Sequence, residues 1–307
     1  MPIASTKEIL DDANRNYYAV GAFNINNMEI LQAIVEAAEE EKSPVIIATS
    51  EGAIKYAGID YLHNLVRTAA DRYKVPISLH LDHGKDFSVI LQCIRNGFTS
   101  VMIDASAYPF EENVRRTKEI VDIAHSVGVS VEAELGKLSG VEDNVSVSAR
   151  DAILVNPEEA KKFVELTGVD FLAPAIGTSH GAFKFKGAAK LDMGRLKKVK
   201  EYTGMPLVLH GASGVPRHIV EKVEKFGGDV KGAKGVPTDV LQNAIKLGIN
   251  KVNTDTDIRL AFTGAVREVL STKESEFDPR KILGPARELM KQVVIERMRD
   301  FGSSGKA

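Results

Sequence analysis

Short apolar, β-branched segments alternate along the chain with longer segments in which apolar positions recur every three to four residues. Several of the short segments are apolar at nearly every position, which is typical of parallel strands covered on both faces. The eight predicted strands are residues 18–24, 44–49, 77–82, 99–104, 129–135, 170–175, 206–210 and 249–253. The helical period predicts helices over 28–41, 60–72, 86–96, 111–127, 192–203, 216–226 and 258–270, with others that begin at Pro157 and Pro237.

The spacing of the strands predicts the fold class. Strand starts lie roughly 20–45 residues apart, the size of a βα unit. Eight such units predict an α/β fold, the (β/α)8 TIM barrel. An open doubly wound sheet is the alternative, but no G-x-G-x-x-G follows the first strand, as the dinucleotide-binding form of that fold would require. We therefore expect one domain over residues 1–307, with the barrel over about 17–270. A C-terminal extension, 271–307, is expected to hold one or two extra helices over 279–301.

Composition narrows the functional classes. The 307 residues are 44% hydrophobic and 27% charged, with a net charge of −2, so we expect no nucleic-acid partner. No apolar run is long enough to span a membrane, and the N-terminus shows no signal-peptide pattern, so no membrane partner is expected. Cys93 is the only cysteine, which favours a reducing, cytoplasmic compartment.

Three histidines follow different predicted strands. In a (β/α)8 barrel the active site lies at the C-terminal ends of the strands, where we place His83, His180 and His210. Three imidazoles with one open position are the ligand set of a catalytic zinc ion. The alternative is three separately hydrogen-bonded loop histidines. His80 lies inside its strand and is predicted either to be a hydrogen-bonded core residue or to support the site from behind its ligands. The remaining histidines, His63, His125 and His218, are predicted to lie on helix surfaces.

Acidic residues end three consecutive strands. Asp82 precedes His83 and suits a general acid/base near a metal-bound oxygen. Asp104 and Glu134 are placed either to bind a second cation or to orient the histidines. Salt bridges with lysine or arginine are the alternative for all three carboxylates.

Two loops at the same end carry the features of an anion site. The segment 211–214 (GASG) follows the seventh strand and 253–257 (NTDTD) follows the eighth, the usual place of a phosphate in this fold. GASG alone also fits an ordinary turn. Lys184 and Lys186 place positive charge nearby, or else belong to a solvated loop. The long segment 136–156 is predicted to be a lid or disordered, and its closure would carry Glu142 over the site.

Several strings together carry a family resemblance. LHLDHG, GFTSVMID, SVEAELG, LAPAIGTSHG, LVLHGASG and INKVNTDTD resemble the class II, zinc-dependent fructose-1,6-bisphosphate aldolases over residues 7–300. The resemblance implies reversible aldol cleavage of fructose 1,6-bisphosphate, with tagatose 1,6-bisphosphate as the alternative substrate. It implies Zn²⁺ as the catalytic ion, with room for a second divalent metal and a monovalent cation. It also implies a homodimer or homotetramer.

The resemblance also assigns roles to residues. His83, His180 and His210 match the zinc ligands, and Asp104 and Glu134 match the second metal position. Asp82 matches the catalytic acid/base, and Glu142 matches the loop acid that moves a proton of dihydroxyacetone phosphate. The expected substrate contacts are Ser50, Gly181, Lys184, Gly211, Ala212, Ser213, Asn253, Thr254, Asp255, Thr256 and, across a dimer interface, Arg280.

Three other functions remain as alternatives. A zinc hydrolase of the amidohydrolase type would need H-x-H on the first strand, which reads AFNIN. A Schiff-base aldolase would need a reactive strand lysine, for which Lys251 is the candidate. A non-catalytic metal-binding protein would retain the metal but lack cleavage activity.

Overall fold

A closed barrel of eight parallel strands forms the centre of the molecule. The computed structural model describes residues 3–136, 139–142, 145–147, 154–180, 191–230 and 232–307. All eight predicted strands are present and close in chain order, so the expectation of a TIM barrel is confirmed. The barrel strands are β1 (Val20–Asn24), β2 (Val45–Ser50), β3 (Ile77–Gly84), β4 (Ser100–Ile103), β5 (Ser130–Leu135), β8 (Phe171–Pro174), β10 (Leu207–Leu209) and β11 (Ile249–Thr254).

Helices surround the barrel. Asn27 caps the first predicted one by accepting a hydrogen bond from the Ile30 N–H, and Asn156 with Pro157 begins another. In the described part of the chain the helices are α1 (Thr6–Arg15), α2 (Met28–Glu41), α3 (Glu51–Ala57), α4 (Ile59–Arg72), α5 (Phe87–Arg95), α6 (Phe110–His125), α7 (Pro157–Thr167), α8 (Met193–Thr203), α9 (Arg217–Lys225), α10 (Thr238–Lys246), α11 (Thr256–Thr272) and α12 (Pro279–Phe301). Helices α1 and α3 were not predicted from the sequence. None of the described helices has the length and apolar character needed to cross a membrane.

Helix α1 closes the N-terminal end of the barrel. Its buried residues Ile9, Leu10 and Ala13 pack in one cluster with inward-facing strand residues such as Phe171 and Val208. The apolar side chains inside the barrel therefore lie toward the N-terminal ends of the strands. The polar side chains that follow it along the strands lie toward the opposite end.

The segment predicted as a lid contains short strands. β6 (Ser139–Glu142) and β7 (Val145–Val147) pair antiparallel, and β6 also pairs in parallel with β9 (Ser179–His180). Of the two predictions for this segment, disorder is wrong at these positions, and the role as a lid stays a prediction. Their backbone hydrogen bonds join the segment that holds Glu142 to the segment that holds His180.

The C-terminal extension is one helix with Pro285 inside it. Pro279 stands at the first helical turn, after the cap residue Asp278. α12 packs along α2 and α11, and its residues Met290, Val294 and Met298 are buried in the main core.

Candidate active site

The end of β3 carries the first two predicted site residues. His83 has a left-handed backbone (φ 49°), which is uncommon for a residue with a Cβ. Its Nδ1 lies 3.2 Å from Asp104 Oδ2. A Cβ at Gly84 would lie 2.5 Å from the Met102 carbonyl oxygen, so the close strand packing at this bend requires glycine. The LDHG string therefore encodes a local bend that aims an imidazole at Asp104.

Asp82 is buried between two asparagine amides. Its Oδ2 accepts from Asn24 Nδ2 (3.0 Å) and its Oδ1 from Asn253 Nδ2 (2.8 Å). Burial disfavours the carboxylate, but the electrostatic effects of His83, His210 and the more distant Lys251 outweigh it, and the pKa of Asp82 lies well below its usual range. The side chain therefore rests as a carboxylate that can take up a proton.

Asp82, His83 and His210 form a compact donor set. One ligand atom from each lies within 4.8 Å of the others, and the two imidazole rings lie 4.4 Å apart. His210 follows β10 and is 2% exposed. Its Nε2 lies 2.7 Å from Glu132 Oε1, and its Nδ1 lies 3.1 Å from Asn253 Nδ2. Two imidazoles beside a carboxylate match the nitrogen and oxygen ligands that zinc prefers.

A second donor set shares His83. His83, Asp104 and Glu134 also bring ligand atoms within 4.8 Å of one another. Asp104 accepts from Ser106 Oγ (2.7 Å) as well as facing His83. Burial opposes ionisation of Asp104, but the hydrogen bond from His83 holds its pKa below the usual range. The structure thus brings together the predicted residues of both metal positions, apart from His180.

A buried polar cluster lies one layer of side chains deeper in the barrel. Lys251 Nζ donates to Glu132 Oε2 (2.7 Å) and lies 3.3 Å from His80 Nε2, and none of the three side chains is exposed. Burial and then the Lys251 charge lower the pKa of His80 to about 3, so this imidazole is neutral. Burial opposes ionisation of Glu132, but Lys251 and the His210 hydrogen bond lower its pKa to about 2.

The sequence pattern identified His80 and Lys251 separately, but neither their contact with Glu132 nor the role of Asn24 was predicted, although a signal was present. His80, Glu132 and Lys251 each precede a site residue by two positions, in H-x-D, E-x-E and K-x-N. Because alternate residues of a strand point to the same face, these pairs predict two polar layers inside the barrel.

The GASG loop is held from below by a buried carboxylate. Asp257 accepts from the Gly214 N–H (3.0 Å) and the Val215 N–H (2.7 Å). Val215 has a left-handed backbone (φ 50°), a strained conformation for a β-branched residue. Ser213 Oγ accepts from the Asp255 N–H (3.4 Å), which joins this loop to the one after β11. The two predicted anion loops are therefore one connected structure.

The other predicted substrate contacts differ in burial and in hydrogen-bond partners. Asn253 Oδ1 and Thr254 Oγ1 are buried with no hydrogen-bond partner among the described residues, as expected of groups that await a polar ligand. Ser50 caps α3 through the Ala53 N–H and pairs with Asp82 in the sheet register. Arg280 is exposed and ion-paired with Asp278. Gly211 and Ala212 lie in the GASG loop, and Thr256 is the first residue of α11, just after β11.

Five predicted residues fall on parts of the chain that the structure does not describe. Gly181, Lys184 and Lys186 lie outside the described residues, as do the side chains of Glu142 and His180. Their roles stay predictions.

Comparison with known proteins gives the family. The family model "Fructose-bisphosphate aldolase class-II" matches residues 4–306. The chain belongs to the class II fructose-bisphosphate aldolase family. The fructose-bisphosphate aldolase of Helicobacter pylori is 56% identical over 300 residues, covering 97% of this chain and 98% of that protein. The fructose-bisphosphate aldolase of Thermus caldophilus is also 56% identical, over 98% of each chain.

Solved structures of this family have the same fold. The crystal structure of the YdjI aldolase from Escherichia coli K12 aligns with a TM-score of 0.80 at 34% identity, over 99% of both chains. Class II fructose-bisphosphate aldolases are metal-dependent lyases that act on a phosphorylated sugar, and the family resemblance inferred from the sequence is confirmed. The donor sets at the C-terminal end of this barrel fit such a metal.

Proposed function

We propose that this protein catalyses the zinc-dependent cleavage of fructose 1,6-bisphosphate to dihydroxyacetone phosphate and glyceraldehyde 3-phosphate, and the reverse condensation. The two relatives at 56% identity carry the name of this activity. The observation that supports it best is the Asp82 carboxylate beside His83 and His210, with ligand atoms within 4.8 Å of one another. A proton acceptor next to a metal-binding group is what aldol cleavage requires.

Zinc is the ion we propose for the catalytic position, with His180 completing the ligands His83 and His210. When bound, a zinc ion supplies a Lewis acid that polarises the ketone of the substrate. Asp104 and Glu134 provide carboxylates for a second divalent cation, and a monovalent cation would assist phosphate binding.

Asp82 is proposed to move the proton at the bond that breaks. In the cleavage direction its carboxylate takes the proton of the C4 hydroxyl, and in condensation it returns a proton to the aldehyde oxygen. Asn24 and Asn253 hold the two carboxylate oxygens in place. Glu142 is proposed to exchange the proton at the carbon of dihydroxyacetone phosphate.

Two loops are proposed to bind the phosphates of the substrate. Backbone N–H groups of Gly211 to Ser213 and the residues Asn253 to Thr256, with Gly181 and Lys184, would hold the dihydroxyacetone phosphate half. Ser50 and Arg280 would hold the aldehyde half. Binding energy from the phosphates fixes the substrate away from the reacting carbons.

The buried lysine of the barrel argues against the Schiff-base alternative. Lys251 Nζ is ion-paired with Glu132 at 2.7 Å and is completely buried. An amine that attacks a ketone must be reachable and free of an ion pair, and Lys251 is neither. Borohydride with substrate is therefore expected to leave the enzyme active and unlabelled.

A homodimer or homotetramer in the cytoplasm is proposed for the assembly and location. Phe277 is 88% exposed and lies three residues before Arg280, which is consistent with an interface that lends Arg280 to a neighbouring site. The free, buried Cys93 is consistent with a reducing compartment.

The test is a coupled cleavage assay on fructose and tagatose 1,6-bisphosphates, with and without chelator. We expect fructose 1,6-bisphosphate to be cleaved faster, activity to disappear with chelator, and zinc to restore it. His83→Ala should abolish activity, whereas the matched control His218→Ala, on the exposed face of α9, should retain it. Full activity after complete removal of metal would refute the proposal, and faster cleavage of the tagatose ester would reassign the substrate.

A further inference from the structure

The deep cluster of Lys251, Glu132 and His80 is costly and has no place in the proposed proton transfers. Each of the three side chains is completely buried. His80 Nδ1 lies 2.8 Å from Ser100 Oγ, and its Nε2 faces Lys251. Two ionised groups in a barrel core are expensive to desolvate, and apolar residues often replace such pairs without loss of stability. An ion pair at this depth is therefore expected to serve a function.

The two oxygens of Glu132 have different partners. Oε2 accepts from Lys251 Nζ at 2.7 Å, and Oε1 lies 2.7 Å from His210 Nε2. A carboxylate only accepts, so the hydrogen of the neutral His210 ring must sit on Nε2. The lone pair is then on Nδ1, the nitrogen that accepts from Asn253 and lies 4.0 Å from Asp82 Oδ1.

We propose that Glu132 is a positioning residue: it fixes His210 in the Nε2–H tautomer and orients its Nδ1 lone pair toward the metal position. Lys251 holds the second oxygen of Glu132 and so prevents the carboxylate from rotating away, while His80 and Ser100 hold Lys251 from the far side. Carboxylates commonly perform this task for metal-binding histidines. The inference rests on the proposed function in one respect, the role of His210 as a zinc ligand.

Two double variants separate positioning from mere stabilisation. E132Q/K251M removes the ion pair but leaves a carbonyl oxygen that can accept from His210 Nε2–H. E132L/K251M removes the ion pair and the acceptor together. Because neither variant buries an unpaired charge, both are expected to fold. Zinc affinity is measured by competition with a chromogenic chelator, and thermal unfolding of the metal-free chains controls for stability.

We expect the zinc dissociation constant of E132Q/K251M to stay within about threefold of wild type, and that of E132L/K251M to rise about 10–100-fold. Equal zinc affinity in both double variants, whether retained or lost, would overturn the positioning role. Failure of the wild-type chain to bind zinc would overturn the proposed metal site as well, so the two failures are distinguishable.

A spectroscopic measurement tests the proposal without relying on a variant that folds. Nitrogen-15 NMR of histidine-labelled, metal-free wild-type protein reports which ring nitrogen carries the hydrogen, and His210 is assigned by the loss of its signals in His210→Asn. The Nε2–H tautomer supports the proposal. An Nδ1–H tautomer would overturn it.

Discussion

Adding one methyl group at Gly235 should damage the anion loop without touching the metal site. Gly235 lies in the connection before α10, directly against the GASG loop. A Cβ built there would lie 2.1 Å from the Ser213 carbonyl oxygen and 2.3 Å from the Gly214 carbonyl carbon. Both are backbone atoms, so no flexible side chain can move aside. Ordinary contact begins near 3.4 Å, which means that the two segments must separate by about 1 Å.

That separation has a predictable kinetic cost. The Ser213 carbonyl also accepts from the Val236 N–H (3.0 Å), so separation stretches a bond that holds the loop in register. A misplacement of about 1 Å in a substrate-positioning group can lower the rate by about 100-fold. For Gly235→Ala we expect kcat/KM for fructose 1,6-bisphosphate to fall about 10–100-fold, or about 1.4–2.7 kcal/mol of transition-state stabilisation.

The assay is steady-state cleavage coupled to NADH oxidation, with zinc content and thermal midpoint measured on the same preparation. Gly232→Ala is the matched control: it lies in the same connection and has a strained backbone (φ 80°), but its Cβ would meet nothing within 4 Å. The control should lose stability by about 1 kcal/mol and keep its kcat/KM. If Gly235→Ala retained wild-type kcat/KM while fully folded and zinc-loaded, the loop would not be the substrate site that we propose.

Three further outcomes follow from individual side chains. Asp82→Asn should lower kcat by about 10²–10⁴-fold while the protein stays zinc-loaded, and a rate above about a tenth of wild type would contradict the proton-transfer role. Cys93 is completely buried, and burial raises the pKa of its thiol to about 12, so Ellman's reagent should react only after unfolding; rapid reaction of native protein would disprove the packing. The hydrogen bond from Arg299 holds the pKa of Glu41 below its usual range, so this ion pair contributes stability above about pH 4.3 and loses it in more acidic solution. Arg299→Met should therefore reduce the free energy of unfolding by up to about 1 kcal/mol at pH 7 and by less at pH 3, measured in urea; an equal loss at both pH values would show that the charge does not matter.

The period of the apolar positions was sufficient to predict the barrel, because the eight barrel strands and most of the described helices bury a continuous face. Two helices, α1 and α3, lack a long apolar face and could not be predicted in this way. α1 has only three apolar residues, Ile9, Leu10 and Ala13, all of them buried, and its other positions are polar. α3 has seven residues, and its apolar residues Ala53, Ile54 and Ala57 are only partly buried, so the segment is too short to show a helical period.

The site was predictable where residues end strands, and much less so where they lie within them. His83, His210 and Asp104 followed directly from the rule that barrel active sites lie at strand ends. The bond between Glu132 and His210 joins residues 78 positions apart. Only the closed barrel specifies that contact, since pairing of neighbouring strands alone would leave β5 and β10 apart, on either side of β8.

The partners of the buried carboxylates explain why one of them is suited to move protons. Glu132 is ion-paired with Lys251, and Asp104 faces His83 and the more distant ammonium of Lys85, 3.9 Å away. Asp82 instead accepts hydrogen bonds from two neutral amides, Asn24 and Asn253. Protonating Glu132 would break an ion pair and leave the Lys251 charge uncompensated in the core, whereas protonating Asp82 breaks no direct ion pair. We therefore expect Glu132 to stay ionised throughout the proposed reaction, and Asp82 to be the carboxylate that takes up and returns a proton.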